Sequence, residues 1–463
     1  MKVLFINPNT RGTYNLHPLG IAKLGAILRV HHDVQIFDMD TVNASQKDLI
    51  DRLKTFQPDI VGITVKTPCL PSALEVCNTV NNFGGIKLIV GGADPTARPD
   101  KILSDLPVDV AVIGEADDVI TPLVDNIHNI KELKKIPGLR LRTPEGEIQT
   151  APGKYVEDLD KDPFTAYDLL PLESYRMYPI NSPPYLLPMA TSRGCPYSCM
   201  FCFHILHGHK QRCNSANYVV NEITHMIDTL RVKVGSIVFV DDTFTLNRKR
   251  VFEICDLIKE KGINLTLRCE SRVNLVDEEL LTKMYDVGFN HISFGVESGN
   301  QEIINEWNKR ITLDQARTAF KTAHKIGYTT TAYMIIGAPS ETPSTVRDSI
   351  NFAKELDPDF IQWSLASPLP STPLHTWFIE HFGEVEDWGG INYMSVFQKD
   401  KPKISVYRSK YMTNEELNTW VKRAYRETYL SPHYILKRLR RMTNLQELRG
   451  NLNGLRDILG VQR

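Results

Sequence analysis

Residues 186–202 read LLPMATSRGCPYSCMFC, an apolar run that ends in a tight turn carrying three cysteines. Leu186 to Thr191 has the length and composition of a buried strand, and Cys195, Cys199 and Cys202 follow it at C-x3-C-x2-C spacing. Five further runs repeat the strand signal: Ser236 to Val240, Leu265 to Cys269, His291 to Val296, Thr330 to Ile336 and Phe360 to Leu365. Amphipathic stretches separate them, at Asn217 to Leu230, Lys249 to Lys261, Glu278 to Val287, Leu313 to Ile326 and Ser344 to Glu355. Six βα units are too few to close an eight-stranded barrel, so the pattern predicts an open, partial (β/α)6 barrel. Functional groups in such folds gather at the carboxyl ends of the strands, where these cysteines fall.

Upstream, a second alternating series runs from Val3 to Ile6 through Val34 to Phe37, Ile60 to Val65, Lys87 to Val90 and Val110 to Ile113. Helical patterns lie between and after these runs, the last from about Asp117 to Ile127. This predicts a parallel, doubly wound, Rossmann-like α/β domain with ligands at the strand carboxyl ends. We expect this domain to span residues 1–150 and the barrel to span 188–375. Between them, 151–187 is rich in proline, including Pro179 and Pro183. Tyr155, Phe164, Tyr167, Leu169, Leu170, Tyr175 and Tyr178 mark it as an ordered connector rather than a free tether. Residues 376–463 read as a mainly helical C-terminal region, basic at Lys437, Arg438, Arg440, Arg441, Arg449, Arg456 and Arg463. That basic face could hold a phosphate or an acidic partner, or be a solvated helix surface.

Of the 463 residues, 42% are hydrophobic and 24% charged, which excludes collagen-like, disordered and disulfide-scaffold classes. Lys+Arg 54 against Asp+Glu 55 gives a net charge of -1, so no global field recruits nucleic acid or an anionic membrane. No apolar run reaches the roughly 18 to 20 residues of a membrane span. MKVLFINPN has no signal-peptide core, so a cytoplasmic location is expected. In a reducing compartment the eight cysteines are not expected to pair as disulfides.

Three thiolates on one tight loop can hold three irons of a 4Fe-4S cube and leave the fourth iron open. Zinc, with His204, His207 or His209 as a further ligand, and simple packing of three thiols are the alternatives. With Phe201 immediately before the last cysteine, the loop resembles that of the radical S-adenosylmethionine (SAM) superfamily, and the resemblance spans roughly 186–375. It implies that the open iron chelates SAM and that an electron from the cluster yields a 5'-deoxyadenosyl radical. The other strand ends resemble the family's SAM-binding segments. FVDDTFTLN supplies Asp241 and Asp242 near the methionine moiety, and CESRVN supplies Glu270, Ser271 and Arg272. FGVESGN supplies Glu297 for a ribose or amino contact, and MIIGAPSET supplies Gly337 beside the adenine. For each lone acid the competing reading is a solvated or helix-capping carboxylate.

In the first domain, NPNTRGTYNLHPLGIAKLGAIL, DIVGITVKT, LIVGGADPTARP and DVAVIGEADD resemble the cobalamin-binding domain of one large radical SAM subgroup. Gly91, Gly92 and Gly114, with Glu115 beside them, would let backbone approach a large planar ligand or its nucleotide tail; ordinary strand-to-helix turns are the alternative. Thr64, Lys66 and Thr67 are candidates for lining the lower face of the cofactor. The D-x-H-x-x-G signature that supplies histidine to cobalt is absent, and His17, His31 and His32 stand in no such context. GGADPT also carries Ala93 and Asp94 where many relatives have proline and histidine.

The resemblance implies a cobalamin-dependent radical methyltransferase: methylcobalamin donates a methyl group to an unactivated substrate carbon after hydrogen abstraction, and an external donor supplies electrons. A cobalamin-binding cyclase or other non-methylating radical enzyme, and a non-catalytic cobalamin or redox sensor, are the alternatives. A methylthio-transferring nucleic-acid enzyme would need a second cysteine triad, and only Cys69 and Cys77 precede Cys195. A peptide or protein side chain is the preferred substrate over a small metabolite. Tyr333 and Trp363 are candidates for the substrate pocket, with core packing as their alternative role.

Overall fold

The computed structural model describes residues 1–10, 17–175, 184–383 and 407–441. Tyr178, Pro179, Pro183, Arg449, Arg456 and Arg463 lie outside these. The first sheet holds β1 (Lys2–Asn7), β2 (Asp33–Asp38), β3 (Ile60–Thr64), β4 (Lys87–Gly91) and β5 (Val110–Val112) in parallel order β2-β1-β3-β4-β5. Its strands are continuous apolar runs because helices cover both faces. One face packs Leu4, Ile6, Val61, Ile63 and Val90 into a separate core. The other, with Val3, Phe5, Ile89 and Val112, joins the core of the second sheet. Strand order reverses between β1 and β3, which opens a crevice at the carboxyl ends.

An antiparallel hairpin, β6 (Leu139–Thr143) and β7 (Gly146–Gln149), extends this sheet beyond β5. This hairpin lies beyond the alternating series that the sequence predicts. In the connector, Tyr167, Leu170 and Tyr175 are buried, and the Tyr167 hydroxyl donates to the carbonyl of Pro188 at 2.8 Å. Tyr155 stays exposed.

The second sheet is parallel throughout and runs in simple chain order: β8 (Tyr185–Met189), β11 (Val234–Phe239), β12 (Thr266–Arg272), β13 (Phe289–Glu297), β14 (Thr329–Ile336) and β15 (Phe360–Leu365). It is the expected open half-barrel. Between β8 and β11 lies a two-stranded ribbon, β9 (Ser192–Arg193) and β10 (Arg212–Cys213). Capping boxes fix helix entries at Thr312 and Thr342, the sites where helices lead back to β14 and β15.

An open barrel exposes an edge strand, and here the edge of β15 is covered. The helix Asn414–Tyr429 packs beside it. The Tyr429 hydroxyl accepts from the Ile361 amide and donates to the Ile361 carbonyl, both at 2.8 Å. Tyr425 does the same at Trp363, at 3.1 and 3.0 Å. Tyr434 donates to the Asp359 carbonyl at 2.9 Å. The basic helix Pro432–Arg441 is docked, with Lys437 Nζ 3.1 Å from an Asp357 carboxylate oxygen and the Arg438 guanidinium 4.7 Å above the Phe360 ring. No helix among the described residues is long and apolar enough to cross a membrane.

Candidate active site

The cysteine loop is closed on itself before anything binds it. Gly194 sits at φ +85, and a Cβ there would meet the Lys210 carbonyl at 2.4 Å, so only glycine fits. The Cys195 amide donates to the Gly208 carbonyl at 3.3 Å, and the Gly208 amide donates to that of His204 at 2.7 Å. Cys195 and Cys199 are buried and Cys202 is half-buried. Burial, followed by the neighbouring Cys199 and Asp242, pushes the Cys202 thiol up to about 12, and burial also raises Cys195. Such thiols ionise when a metal takes the place of their protons.

The donor set, three thiols on one tight loop, fits an iron–sulfur cluster. Among the described residues no three His, Cys, Asp or Glu side chains converge tightly enough to share one ion. A cubane asks for one thiolate per iron instead. Of the nearby imidazoles, His207 Nδ1 lies 2.8 Å from Glu115, while His204 and His209 stack on each other at 4.6 Å and His204 Nε2 is buried without a hydrogen-bond partner among the described residues. Positive charge lies beside the thiols, with Arg272 Nη1 3.7 Å from Cys199 Sγ and its guanidinium stacked 3.6 Å from the Tyr197 ring centroid. Phe201 packs edge-on against Trp307 at 5.2 Å.

The acids at the strand ends divide into supports and exposed groups. Asp241 is buried and its oxygens accept from the Thr191 amide and hydroxyl at 2.5 Å and from the Ser192 amide at 3.1 Å. It fixes the junction of β8 with the cysteine loop, and its burial with both oxygens engaged places it as a support rather than an open contact for SAM. Asp242 is exposed and lines the central cavity. Glu270 accepts from the Tyr333 hydroxyl at 2.8 Å, and burial raises its carboxyl above the ordinary range. Glu297 holds φ +71, an uncommon conformation for a side-chain-bearing residue, and its Oε1 is 2.5 Å from Lys309 Nζ.

Two further candidates take structural roles. The space a Cβ would take at Gly337 is filled by Ala366 and Tyr407 at 3.1 Å, so its glycine serves a φ of +115 and close packing rather than open access. Trp363 pairs in register with Met334 and is buried in the core beneath the helices, on the face opposite Tyr333, which pairs with Gln362. Missed altogether was Glu341, fully buried and pushed up to about 8 by burial; it accepts from the Gly337 and Ala338 amides. An acid four residues past the glycine of the β14 turn was its visible signal.

The cavity, about 360 Å³ in volume, lies between the two sheets. Thr64, Gly91, Gly92, Gly114 and Glu115 line it from the first, and Ser192, Arg193, His207 and Asp242 from the second. Lys66 and Thr67 are not brought into its wall, because the chain turns there into a short helical segment at Thr67–Cys69. A Cβ built on Gly20 or Gly114 meets nothing within 4 Å, so both glycines leave open space in the wall. A volume within the range of ligand pockets, apolar walls and glycine openings at strand ends fit part of a large planar cofactor. His17 is stacked on Tyr175 at 3.6 Å and is not in that wall.

Ion pairs lock this crevice to the cysteine loop. Arg212, on β10, donates to both oxygens of Glu115 at 2.7 Å, and the Val156 amide donates to one of them at 2.8 Å. Arg193, on β9, donates to both oxygens of Asp117 at 2.9 and 2.7 Å. Burial pushes the Glu115 carboxyl up, but hydrogen bonds from His207, Arg212 and Val156 outweigh it and hold it at about 2. Glu115 is therefore a tie whose oxygens are committed to protein partners, not a free cofactor ligand.

A family model described as the radical SAM superfamily matches residues 189–353, and one described as the B12 binding domain matches 10–124. The chain is 32% identical over 447 residues to an uncharacterized methyltransferase of Pyrococcus horikoshii, and the match covers 94% of both chains. It is 28% identical to the anaerobic magnesium-protoporphyrin IX monomethyl ester cyclase of Rubrivivax gelatinosus, over 86% of this chain and 74% of the relative. The radical SAM methyltransferase TsrM from Kitasatospora setae, solved with cobalamin and a 4Fe-4S cluster, shares the fold with a TM-score of 0.73 over 99% of each chain at 16% identity.

Proposed function

This chain belongs to the radical SAM enzymes that carry a B12-binding domain, and from that premise we propose that it methylates a carbon centre of an organic substrate. One observation carries the reading: the crevice of the first sheet shares its wall with the cysteine loop at the mouth of the half-barrel, through Gly91, Gly92 and Gly114 on one side and Ser192, Arg193 and Asp242 on the other. When bound, the cluster with SAM supplies radical chemistry and cobalamin supplies the methyl group, so an sp3 carbon without a lone pair becomes a feasible acceptor.

The chain's own residues do the positioning. Cys195, Cys199 and Cys202 would hold the cluster, and Arg272 places positive charge beside Cys199, where its negative charge would gather. Asp242, Glu270 and Glu297 gather acceptors around the mouth of the half-barrel, and Lys309 neutralises Glu297. Tyr333 holds its proton toward Glu270 on the concave face. Between the sheets, Phe5, Leu24 and Val240 give the shared space apolar walls. Electrons come from an external donor.

The relative from Rubrivivax, named as a cyclase, supports a second reading in which the same frame serves ring formation. The experiment that separates them is anaerobic incubation of the reconstituted, cobalamin-loaded protein with SAM, reductant and candidate substrates, with 5'-deoxyadenosine and S-adenosylhomocysteine quantified together. Methylation requires both products to rise in step with substrate consumption. A rise in 5'-deoxyadenosine alone favours the ring-forming reading, and absence of both with intact cofactors overturns the enzymatic assignment.

A further inference from the structure

The concave face of the half-barrel holds a cation that no acid among the described residues neutralises. Alternation along β12 sends Leu267 and Cys269 into the core under the helices and turns Arg268 and Glu270 to the opposite face. Arg268 is half-buried, has no hydrogen bond and no ion pair among the described residues, and its Nε is buried without a partner. Its isolation is unusual in this protein. Arg98 pairs with Asp94 and Asp105, Arg193 with Asp117 and Arg212 with Glu115, and Arg250 donates to the carbonyls of Asn214 and Thr191. Glu270, two residues along on the same face, is engaged with Tyr333 instead.

A guanidinium drawn partly out of water without a counter-charge is costly, and its usual complement is an oxyanion that accepts from its planar fork. The surroundings suit such a partner. His291 lies directly across in register on β13; its Nε2 is 2.8 Å from the Thr331 hydroxyl and its ring is parallel to Phe360 with centroids 6.0 Å apart. Burial, followed by the neighbouring Arg268, lowers His291 to about 4, so at neutral pH the ring offers hydrogen bonding without added charge. Ser293 and Thr331 complete a buried polar floor.

Depth decides what Arg268 serves. Arg272, four residues further along β12, touches the cysteine loop at Cys199. At ~3.3 Å per residue, Arg268 lies roughly 13 Å below it along the strand, beyond groups held at the cluster itself. We propose that Arg268, with His291 beside it, anchors a carboxylate or phosphate at one end of an elongated small-molecule substrate, leaving the far end near Glu270, Tyr333 and the mouth. The assignment rests on the radical SAM reading of the mouth, and it favours an elongated small molecule over the expected peptide substrate.

The test is anaerobic calorimetric titration of the full chain with benzoate, phenyl phosphate and the neutral isostere benzamide. Substrate-free formation of 5'-deoxyadenosine is measured on the same preparations. The wild type should bind one of the two acids, the preferred acid distinguishing carboxylate from phosphate, and should bind benzamide at least about tenfold more weakly. Arg268→Gln should abolish that discrimination, and Arg268→Lys should restore part of it by keeping charge without the fork. Equal binding of acids and amide by the wild type, or undiminished acid binding by Arg268→Gln, overturns the anchor. If acid binding behaves as expected but no preparation cleaves SAM, the function proposed above falls and the anion site stands.

Discussion

Single residues in this protein carry unequal loads, and the two extremes are testable. Cys199 is buried beside Arg272, and Cys199→Ala removes one of three thiols from a loop that needs all three. We expect iron and sulfide content to fall to a small fraction of wild type and 5'-deoxyadenosine formation to vanish; full product formation in that variant would refute the cluster assignment. Glu115 is the opposite case, a carboxylate that touches no reacting group. Glu115→Gln leaves Arg212 buried and uncompensated, at a cost on the order of 3–5 kcal/mol in urea unfolding at neutral pH. Because its folded value is depressed from 4.5 to about 2, this contribution is complete above the ordinary carboxylate range and fades as pH falls through about 2. The gap between wild type and variant should therefore narrow from pH 7 to pH 4, and a gap that widens would contradict the assignment.

At the scale of elements, the parallel strands were legible because β-branched runs alternate with amphipathic stretches, and β15 was read to its final residue, Phe360 to Leu365. The hairpin of β6 and β7 escaped, although LRLRT alternates with period two and the following Pro-Glu-Gly marks a turn. The ribbon of β9 and β10 could not have been read, since two-residue strands have no period. Trp363 takes the core-packing alternative left open for it, because alternation says that neighbours face apart without saying which face is the concave one. Asp241 and Asp242 could not be told apart for the same reason: only the fold shows which one meets Thr191. The tyrosine cover of β15 yields its own expectation. Tyr429→Phe removes a hydroxyl that satisfies both backbone groups of Ile361, which should cost about 1–2 kcal/mol and speed amide exchange at Ile361. Unchanged exchange there would mean that water serves the edge equally well.

In the whole molecule the central crevice separates folding from cofactor uptake. Gly20 lies in the first turn of the helix Leu19–Leu28 with open space where a Cβ would project. Gly20→Leu should therefore leave thermal stability unchanged or raise it by about 0.5–1 kcal/mol while lowering cobalamin retention, measured as bound corrin absorbance after desalting. Retention equal to wild type would place the cofactor elsewhere. The pairs that join the two sheets, Glu115 with Arg212 and Asp117 with Arg193, stand 97 and 76 positions apart and leave no trace in local pattern. They also set a rule for recombination. Exchanging the first half of this protein for that of a relative would keep these ties only where the incoming half supplies acids that meet Arg193 and Arg212. A working hybrid must inherit the crossing partners as a matched set, so the halves are bound to change together even though each has a recognisable fold of its own.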